Sequence, residues 1–158
     1  RGGRITPHSW RRTYETFHPS DTERVGERIG AQLLPGDVVA LTGDIGAGKT
    51  CFTRGVARGL GAITPVSSPT FVLIHRHDLS GASHSLYHLD LCRLDSDDEL
   101  EDVGGVELLH SGDICVIEWA ERAESLLPSD AFHVRIDCLD GDGRRLCFTG
   151  PRELTVEE

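Results

Sequence analysis

The first third of the chain places its apolar residues in a strand, helix, strand, helix order. Residues 9–17, SWRRTYETF, allow a short strand, and the residues before them have the composition of a flexible lead-in. Residues 19–34 carry an apolar side chain at every fourth position from Val25 to Leu33, which predicts an amphipathic helix. Ser20 or Asp21 is a residue type that can cap its start, and a Pro-Gly pair ends it.

The next segment joins a strand to a helix through a glycine-rich loop. Residues 37–42, DVVALT, form a nearly continuous apolar run with β-branched members, which is typical of a strand buried on both faces. Residues 49–61 then have a helical pattern that stops at Gly61, and 65–70 are expected to be a loop.

The remainder is rich in hairpins. We predict a hairpin of two strands, an acidic stretch with short helical pieces, a buried strand, a short helix before Pro128, and a closing hairpin. In that order they are residues 71–77 and 83–91, 96–110, 113–120, 120–127, and 131–139 with 144–150. Early alternation of strands and helices, followed by hairpins, favours an α/β fold with a mixed parallel and antiparallel sheet.

Composition narrows the class of protein. A chain of 158 residues with 38% apolar and 27% charged side chains suits one domain, which we expect to span residues 1–158 with 1–9 flexible. The net charge of −10 disfavours direct binding of DNA or RNA. We expect no membrane span and no secretory signal, and therefore a cytoplasmic location.

The five cysteines are odd in number, widely spaced, and form no CxxC pair. This pattern argues against a disulfide framework and against a zinc ribbon. We interpret them as reduced and mostly buried thiols.

The glycine-rich loop has the spacing of a phosphate-binding loop. Residues 43–50, GDIGAGKT, fit the pattern GxxxxGK(S/T), with a buried strand before it and a helix after it. Its glycines allow successive backbone N–H groups to point inward at phosphate oxygens, beside the positive end of the following helix. The order GxxGxG differs from the GxGxxG of dinucleotide-binding folds.

Two side chains that follow the loop glycines have defined roles in such a site. Lys49 reaches along the outer phosphates, and the Thr50 hydroxyl is placed to bind Mg²⁺. Lys49 is also the only lysine among sixteen Lys and Arg residues. Because an ammonium is a compact point charge and a guanidinium is planar and wide, we infer that arginine cannot replace lysine at this position.

A phosphate-binding loop needs a carboxylate that holds Mg²⁺ or orients the attacking group. Asp90 and Glu118 each follow an apolar run that is expected to end at the sheet edge beside the loop, and the spacing leaves open which of them positions the water. Thr70 lies in a loop where a threonine can sense a γ-phosphate. His88 lies two residues before Asp90, on the same strand face, and could orient it; His75, His77 and His84 are expected to be solvated.

Four segments together resemble the TsaE (YjeE) family, the bacterial ATPases of tRNA threonylcarbamoyladenosine biosynthesis. They are GDIGAGKT, SSPTF, HLDLCRL and IEWAER, in this order and spacing, and the resemblance covers about residues 15–150. It implies a three-layer α/β P-loop nucleotide-binding fold, binding of ATP with Mg²⁺, and slow hydrolysis. It also implies assembly with TsaB-like and TsaD-like partner proteins, so that tRNA is engaged only indirectly.

The resemblance assigns roles to particular residues. Lys49 is expected at the phosphates, Thr50 and Glu118 at Mg²⁺, Asp90 as a catalytic carboxylate, Thr70 in a switch-like loop, and Trp119 beside the nucleotide. With the rest of the loop, the predicted catalytic set is Lys49, Asp90 and Glu118, and the nucleotide-binding set is Gly43, Asp44, Ile45, Gly46, Ala47, Gly48, Lys49, Thr50, Cys51, Thr70, Trp119 and Arg144, with residues near Ser20–Thr22 as further candidates. The family commonly has threonine where this chain has Cys51 and usually tyrosine at Cys92.

Two other functions remain open at the level of the sequence. One is a small-molecule kinase on the same fold, although the region after Glu118 offers only Arg122 and Arg135 where kinases have an arginine-rich lid. The other is a nucleotide-gated assembly module whose hydrolysis is incidental. The acidic run 95–102 is interpreted as a solvated helix start or as a docking surface for a basic partner.

Overall fold

The structure is a computed structural model that describes residues 10–44, 46–63 and 74–157. The predictions for the lead-in 1–9, for Ile45, for the 65–70 loop with Thr70, and for the strand residues 71–73 lie outside these ranges. The elements are β1 (Trp10–Thr16), α1 (Pro19–Gln32), β2 (Val38–Thr42), α2 (Lys49–Gly59), β3 (Ile74–Asp78), β4 (Ser85–Asp90), α3 (Asp97–Asp102), α4 (Gly105–Leu109), β5 (Ile114–Glu118), a 3₁₀ segment (Ala120–Leu126), β6 (Phe132–Cys138) and β7 (Arg144–Gly150).

All seven described strands belong to one mixed sheet, in the order β1-β7-β6-β2-β5-β4-β3. The four central strands β6, β2, β5 and β4 are parallel. The antiparallel strand β3 extends the sheet beyond β4, and the antiparallel strands β7 and then β1 extend it beyond β6. The carboxyl ends of β2, β4 and β5 therefore meet at one edge of the sheet, as in other open parallel sheets that bind ligands there.

Helices cover both faces of this sheet, which confirms the predicted three-layer α/β fold. Along β2, Val39 and Leu41 pack with α1 and α2, whereas Val38 and Ala40 pack with α3, α4 and the 3₁₀ segment. A parallel strand that is buried on both faces has a continuous apolar sequence, because every one of its side chains enters a core.

Helices α1 and α2 approach each other backbone to backbone. A Cβ added at Gly26, Gly30, Gly55 or Gly59 would lie 2.0–2.3 Å from a carbonyl oxygen of the facing helix. The helix that follows the glycine-rich loop is therefore held at a fixed distance by four small residues, two on each helix.

Several element boundaries differ by a few residues from those expected from the sequence, and three differences have a defined backbone geometry. Helix α1 begins at Pro19 with His18 as its N-cap, so Ser20 and Asp21 lie inside the first turn; proline suits this place because its missing N–H would have no intrahelical partner. Strand β5 ends at Glu118 because Trp119 adopts a positive φ of 59°. The helix expected over 120–127 is a 3₁₀ segment interrupted at Ala123.

The cysteines are all free, but the expectation that most are buried was wrong. Cys115 is buried and Cys138 is exposed, while Cys51, Cys92 and Cys147 are intermediate. Burial raises the pKa of the Cys115 thiol to about 12. None of the described helices is both long enough and apolar enough to cross a membrane.

Candidate functional site

The glycine-rich loop joins the carboxyl end of β2 to the start of α2. Gly43, Gly46 and Gly48 have φ values of 140°, 79° and 102°, which L side chains rarely adopt. A Cβ at Gly43 would also lie 2.3 Å from the Ile136 carbonyl oxygen, so neighbouring β6 requires glycine there. These residues curl the backbone at the amino end of α2, where unpaired N–H groups favour an anion.

The Lys49 side chain folds back over the loop and is only 5% exposed. Its ammonium donates hydrogen bonds to the carbonyl oxygens of Gly43 and Asp44, the latter at 3.0 Å, and lies 3.9 Å from the centroid of the Trp119 ring. Burial lowers the pKa of Lys49, although the charges of nearby carboxylates oppose this effect. The ammonium thus lies in the loop, held by neutral oxygen atoms and by a ring face.

Glu118 lies at the floor of the same site and is 3% exposed. Its Oε1 accepts a hydrogen bond from the Thr50 hydroxyl at 3.0 Å. Its Oε2 is 2.5 Å from Nε2 of His88, a residue with no exposed surface. The first turn of α2 and the end of β5 are therefore joined through one buried carboxylate.

Asp90 lies beside Glu118 because β4 and β5 are paired in parallel with these two residues in register. It is half-buried, and its Oδ1 accepts the backbone N–H of Cys92 at 3.0 Å. The expectation that His88 orients Asp90 was wrong, since the imidazole pairs with Glu118 instead. The alternation of side chains along β4 correctly placed His88 and Asp90 on one face of the strand. It could not show that the register with β5 brings Glu118 within reach of the same ring.

Trp119 turns the chain from β5 into the 3₁₀ segment. Among the residues that the structure describes, it is the one non-glycine residue with a positive φ. Such a conformation costs on the order of 1–3 kcal/mol and is found most often at functional sites. Here it brings the indole face against the Lys49 ammonium.

Arg144, at the start of β7, contacts the outer side of the loop. Its guanidinium donates to the carbonyl oxygens of Ala47 at 2.9 Å, Gly46 at 3.0 Å and Gly143 at 2.7 Å. Holding loop carbonyls outward supports an inward orientation of the N–H groups. A contact between Arg144 and a nucleotide stays a prediction, and the loop contact is a role that the sequence did not indicate.

Two further predicted positions lie beside the loop rather than in its cavity. The Thr22 hydroxyl is buried against that of Thr16 at 2.7 Å, and its methyl lies 3.8 Å from the place of a Cβ at Gly48. The Cys51 thiol donates to the Pro19 carbonyl at 3.2 Å. Their roles at a nucleotide remain predictions.

The loop and the strand ends enclose a cavity of about 210 Å³. The structure brings most of the predicted residues together around it: Asp44, Gly46, Ala47, Lys49, Thr50, Asp90, Glu118 and Trp119. A hydroxyl and two carboxylates are the oxygen donors that Mg²⁺ prefers, and a lysine beside glycine N–H groups suits phosphate. The residues present therefore fit a nucleotide phosphate with a divalent cation.

The histidines of the 75–88 segment do not share one environment. His77 and His88 are buried. The expectation that His77 is solvated was therefore wrong. Within the described ranges, no three or more His, Cys, Asp or Glu side chains lie close enough together to hold a metal ion on their own.

The sheet order and the two helical layers define a three-layer α/β protein, with a glycine-rich loop at the carboxyl edge of its parallel strands. A family model described as "Threonylcarbamoyl adenosine biosynthesis protein TsaE" matches residues 16–146. The tRNA threonylcarbamoyladenosine biosynthesis protein TsaE of Bacillus subtilis is 39% identical over 148 residues, which cover 92% of this chain and 91% of that protein. The protein of the same description from Treponema pallidum is 39% identical over 136 residues, covering 86% and 93%.

A solved structure agrees with these sequence relatives. The crystal structure of YdiB from Bacillus subtilis superposes with a TM-score of 0.71 at 31% identity, covering 90% of this chain and 87% of that one. The chain therefore belongs to the TsaE family, as the four segments in its sequence indicated.

Proposed function

We propose that this chain binds ATP with Mg²⁺ at the glycine-rich loop, hydrolyses it slowly, and thereby supports threonylcarbamoyl modification of tRNA in the cytoplasm. The observation that carries the proposal is the 3.0 Å hydrogen bond between the Thr50 hydroxyl and the buried Glu118 carboxylate. This pair lies at the amino end of α2, beside the one lysine of the chain.

Binding is assigned to the loop side of the cavity. Backbone N–H groups around Gly46 and Gly48 surround the phosphates, and Lys49 exchanges its two carbonyl acceptors for phosphate oxygens. The exchange is favourable because a buried ammonium held by neutral carbonyls gains an anionic partner. Thr50 and Glu118 would hold the cation.

Hydrolysis is assigned to the strand-end side. Mg²⁺, when bound, neutralises charge that develops on the phosphate oxygens. Asp90 and Glu118 both line the cavity, but both oxygens of Glu118 accept hydrogen bonds from the protein, whereas the hydrogen bond described for Asp90 engages Oδ1 alone. We therefore assign the orientation of the attacking water to Asp90 and the cation to Glu118.

We expect slow turnover by the isolated chain because few positively charged side chains face the cavity, where they could stabilise charge on the phosphates. Among the residues described around the cavity, Lys49 is the one cation, and Arg144 is engaged with loop carbonyls. With a net charge of −10, the chain is also a poor ligand for tRNA. Both features support a role through TsaB-like and TsaD-like partner proteins.

The hydroxyl of Thr50 provides the test of binding. Thr50→Val keeps the shape of the side chain without the hydroxyl, and Thr50→Ser keeps the hydroxyl. In calorimetric titrations with ATP, Mg²⁺ should raise the affinity of Thr50→Ser as it raises that of the unchanged chain. In Thr50→Val this gain in affinity should be smaller by about tenfold or more. Equal Mg²⁺ dependence in the two variants would contradict the proposed cation site.

The partner-dependent role needs a separate experiment. Phosphate release by the isolated chain is compared with release after addition of TsaB-like and TsaD-like proteins, and co-purification is repeated with ATP, with ADP and without nucleotide. We expect stimulated release and nucleotide-dependent assembly. Turnover of tens per second by the chain alone would contradict dependence on partners, and a phosphorylated metabolite would favour a kinase.

A further inference from the structure

The buried imidazole behind Glu118 has no part in the proposed binding or hydrolysis. His88 has no exposed surface, and its Nε2 lies 2.5 Å from Oε2 of Glu118. Thr50 donates to the other oxygen at 3.0 Å. A carboxylate that is 3% exposed is thus held by one donor on each oxygen, as a buried charge requires.

The hydrogen-bonding partners define the state of the ring. An ionised carboxylate only accepts, so Nε2 of His88 must carry the proton and donate it. Nδ1 is buried and has no hydrogen-bond partner in the described part of the chain. The described geometry therefore places the one hydrogen bond of the ring at Nε2 and leaves Nδ1 unused.

The strand register explains why this ring reaches Glu118. In the parallel β4–β5 pair, Asp90 is opposite Glu118 and His88 is opposite Val116. His88 therefore approaches Glu118 diagonally, from two register pairs deeper in the sheet. Its hydrogen bond holds one oxygen of the carboxylate back along the strand, while the other oxygen faces Thr50 on α2.

Without this donor, Glu118 would keep a single hydrogen bond in a nearly water-free position. Lys49 is close enough for the Glu118 charge to act on it. A direct pair between the two would satisfy both side chains, because opposite charges attract strongly where solvent is excluded. Such a pair would occupy the carboxylate that faces Thr50 and the ammonium that faces the loop.

We propose that His88 is a positioning residue: its Nε2–H fixes the Glu118 carboxylate toward Thr50, which keeps a divalent-cation site formed and leaves Lys49 available to phosphate. The inference rests on the proposed function, since the cation site serves the bound nucleotide. It assigns to His88 no contact with the nucleotide.

Two variants of equal length separate a donor from a space-filling role. His88→Gln places an amide N–H about where Nε2 lies, and His88→Met fills a similar volume without a donor. Affinity for ATP is measured by calorimetry without divalent cation and over a series of Mg²⁺ concentrations. We expect His88→Met to weaken the Mg²⁺ dependence about 10–100-fold, as loss of a hydrogen bond to a metal ligand does, and to weaken Mg²⁺-free ATP binding as well, because Glu118 then pairs with Lys49. The Mg²⁺ dependence of ATP affinity in His88→Gln should stay close to that of the unchanged chain.

The outcomes are distinguishable from failure of the proposed function. If the unchanged chain gains no ATP affinity from Mg²⁺, the proposed function fails and this inference fails with it. If the unchanged chain gains affinity but Gln and Met behave alike, the positioning role of His88 is wrong and the proposed function stands.

A measurement on the unchanged chain covers the case in which a variant does not fold. The ring nitrogens of His88 are assigned by ¹⁵N NMR in the absence of nucleotide. The proposal requires the tautomer protonated on Nε2, with its proton shifted downfield by the hydrogen bond. A ring protonated on Nδ1 alone cannot donate to Glu118 and would overturn the proposal.

Discussion

The two sides of the cavity are built by different means. On the loop side, the residues come from one continuous stretch of sequence, 43–50, and glycines at positive φ fix the backbone of its described part. On the strand-end side, Asp90 and Glu118 come from strands 28 residues apart and are positioned by side-chain hydrogen bonds and sheet register. Local chemistry therefore determines the first side, whereas tertiary packing determines the second.

The loop side should be sensitive to a single methyl group where backbone approaches backbone. Gly43→Ala combines a φ of 140° with a Cβ 2.3 Å from the Ile136 carbonyl oxygen, and should lower the free energy of unfolding by about 4 kcal/mol. Gly46→Ala is the matched control, because a Cβ there meets nothing within 4 Å and only its φ of 79° is unfavourable, at about 1–2 kcal/mol. Urea unfolding measures the free energy of unfolding of both variants. Equal losses would show that the positive φ alone requires glycine and that the contact with Ile136 does not matter.

The charge on the loop side should be equally specific. Lys49→Arg should weaken ATP binding by about 100-fold, or about 2.7 kcal/mol, while leaving the fold intact. The ammonium fits between two loop carbonyls and the Trp119 ring, and a planar guanidinium is too wide for that place. Calorimetry with ATP, alongside circular dichroism, measures the two effects. Retained affinity or retained turnover would contradict the steric argument.

The same contrast explains what could be predicted from the sequence. The loop, Lys49 and Thr50 were recognisable because their spacing alone determines the geometry. The mixed α/β sheet followed from the early alternation of strands and helices and from the later hairpins, whereas the three layers were implied by the resemblance to the TsaE family. Asp90 and Glu118 were identifiable as strand ends, but which of them His88 contacts depends on the β4–β5 register, and a sequence does not encode register locally.

Other contacts were missed for similar reasons. Arg144 reaches the loop across about 97 positions of sequence, and no local pattern joins a β7 arginine to the carbonyl of Ala47. The α1–α2 contact did leave a signal, since Gly26 and Gly30, and Gly55 and Gly59, are each four residues apart and so share a helix face. Long-range hydrogen bonds and close backbone packing thus limited the prediction more than local structure did.

Chemical labelling of Lys49 can report on the two sides separately. Because this is the only lysine, an amine-selective reagent should modify two sites, the N-terminus and Lys49. ATP without Mg²⁺ should slow labelling of Lys49 about tenfold, since phosphates contact the loop side directly, whereas Mg²⁺ without ATP should change it little. Mass spectrometry measures both sites, and the N-terminus is the internal control.

The pH dependence of this labelling has a defined sign. Burial lowers the pKa of Lys49, so the folded chain holds its proton less tightly than the unfolded chain, whose lysine titrates near about 10.4. The protonated ammonium therefore costs stability at neutral pH, and the contribution of Lys49 to the free energy of unfolding should rise as the pH increases toward that value. The raised pKa of the Cys115 thiol contributes with the opposite sign, but equally in the unchanged chain and in a Lys49 variant. Lys49→Met should remove this rise in urea titrations at pH 8 to about 10.5. Equal slopes in the unchanged chain and in Lys49→Met would mean that Lys49 is as well solvated in the cavity as in the unfolded chain, which would contradict its burial in the loop.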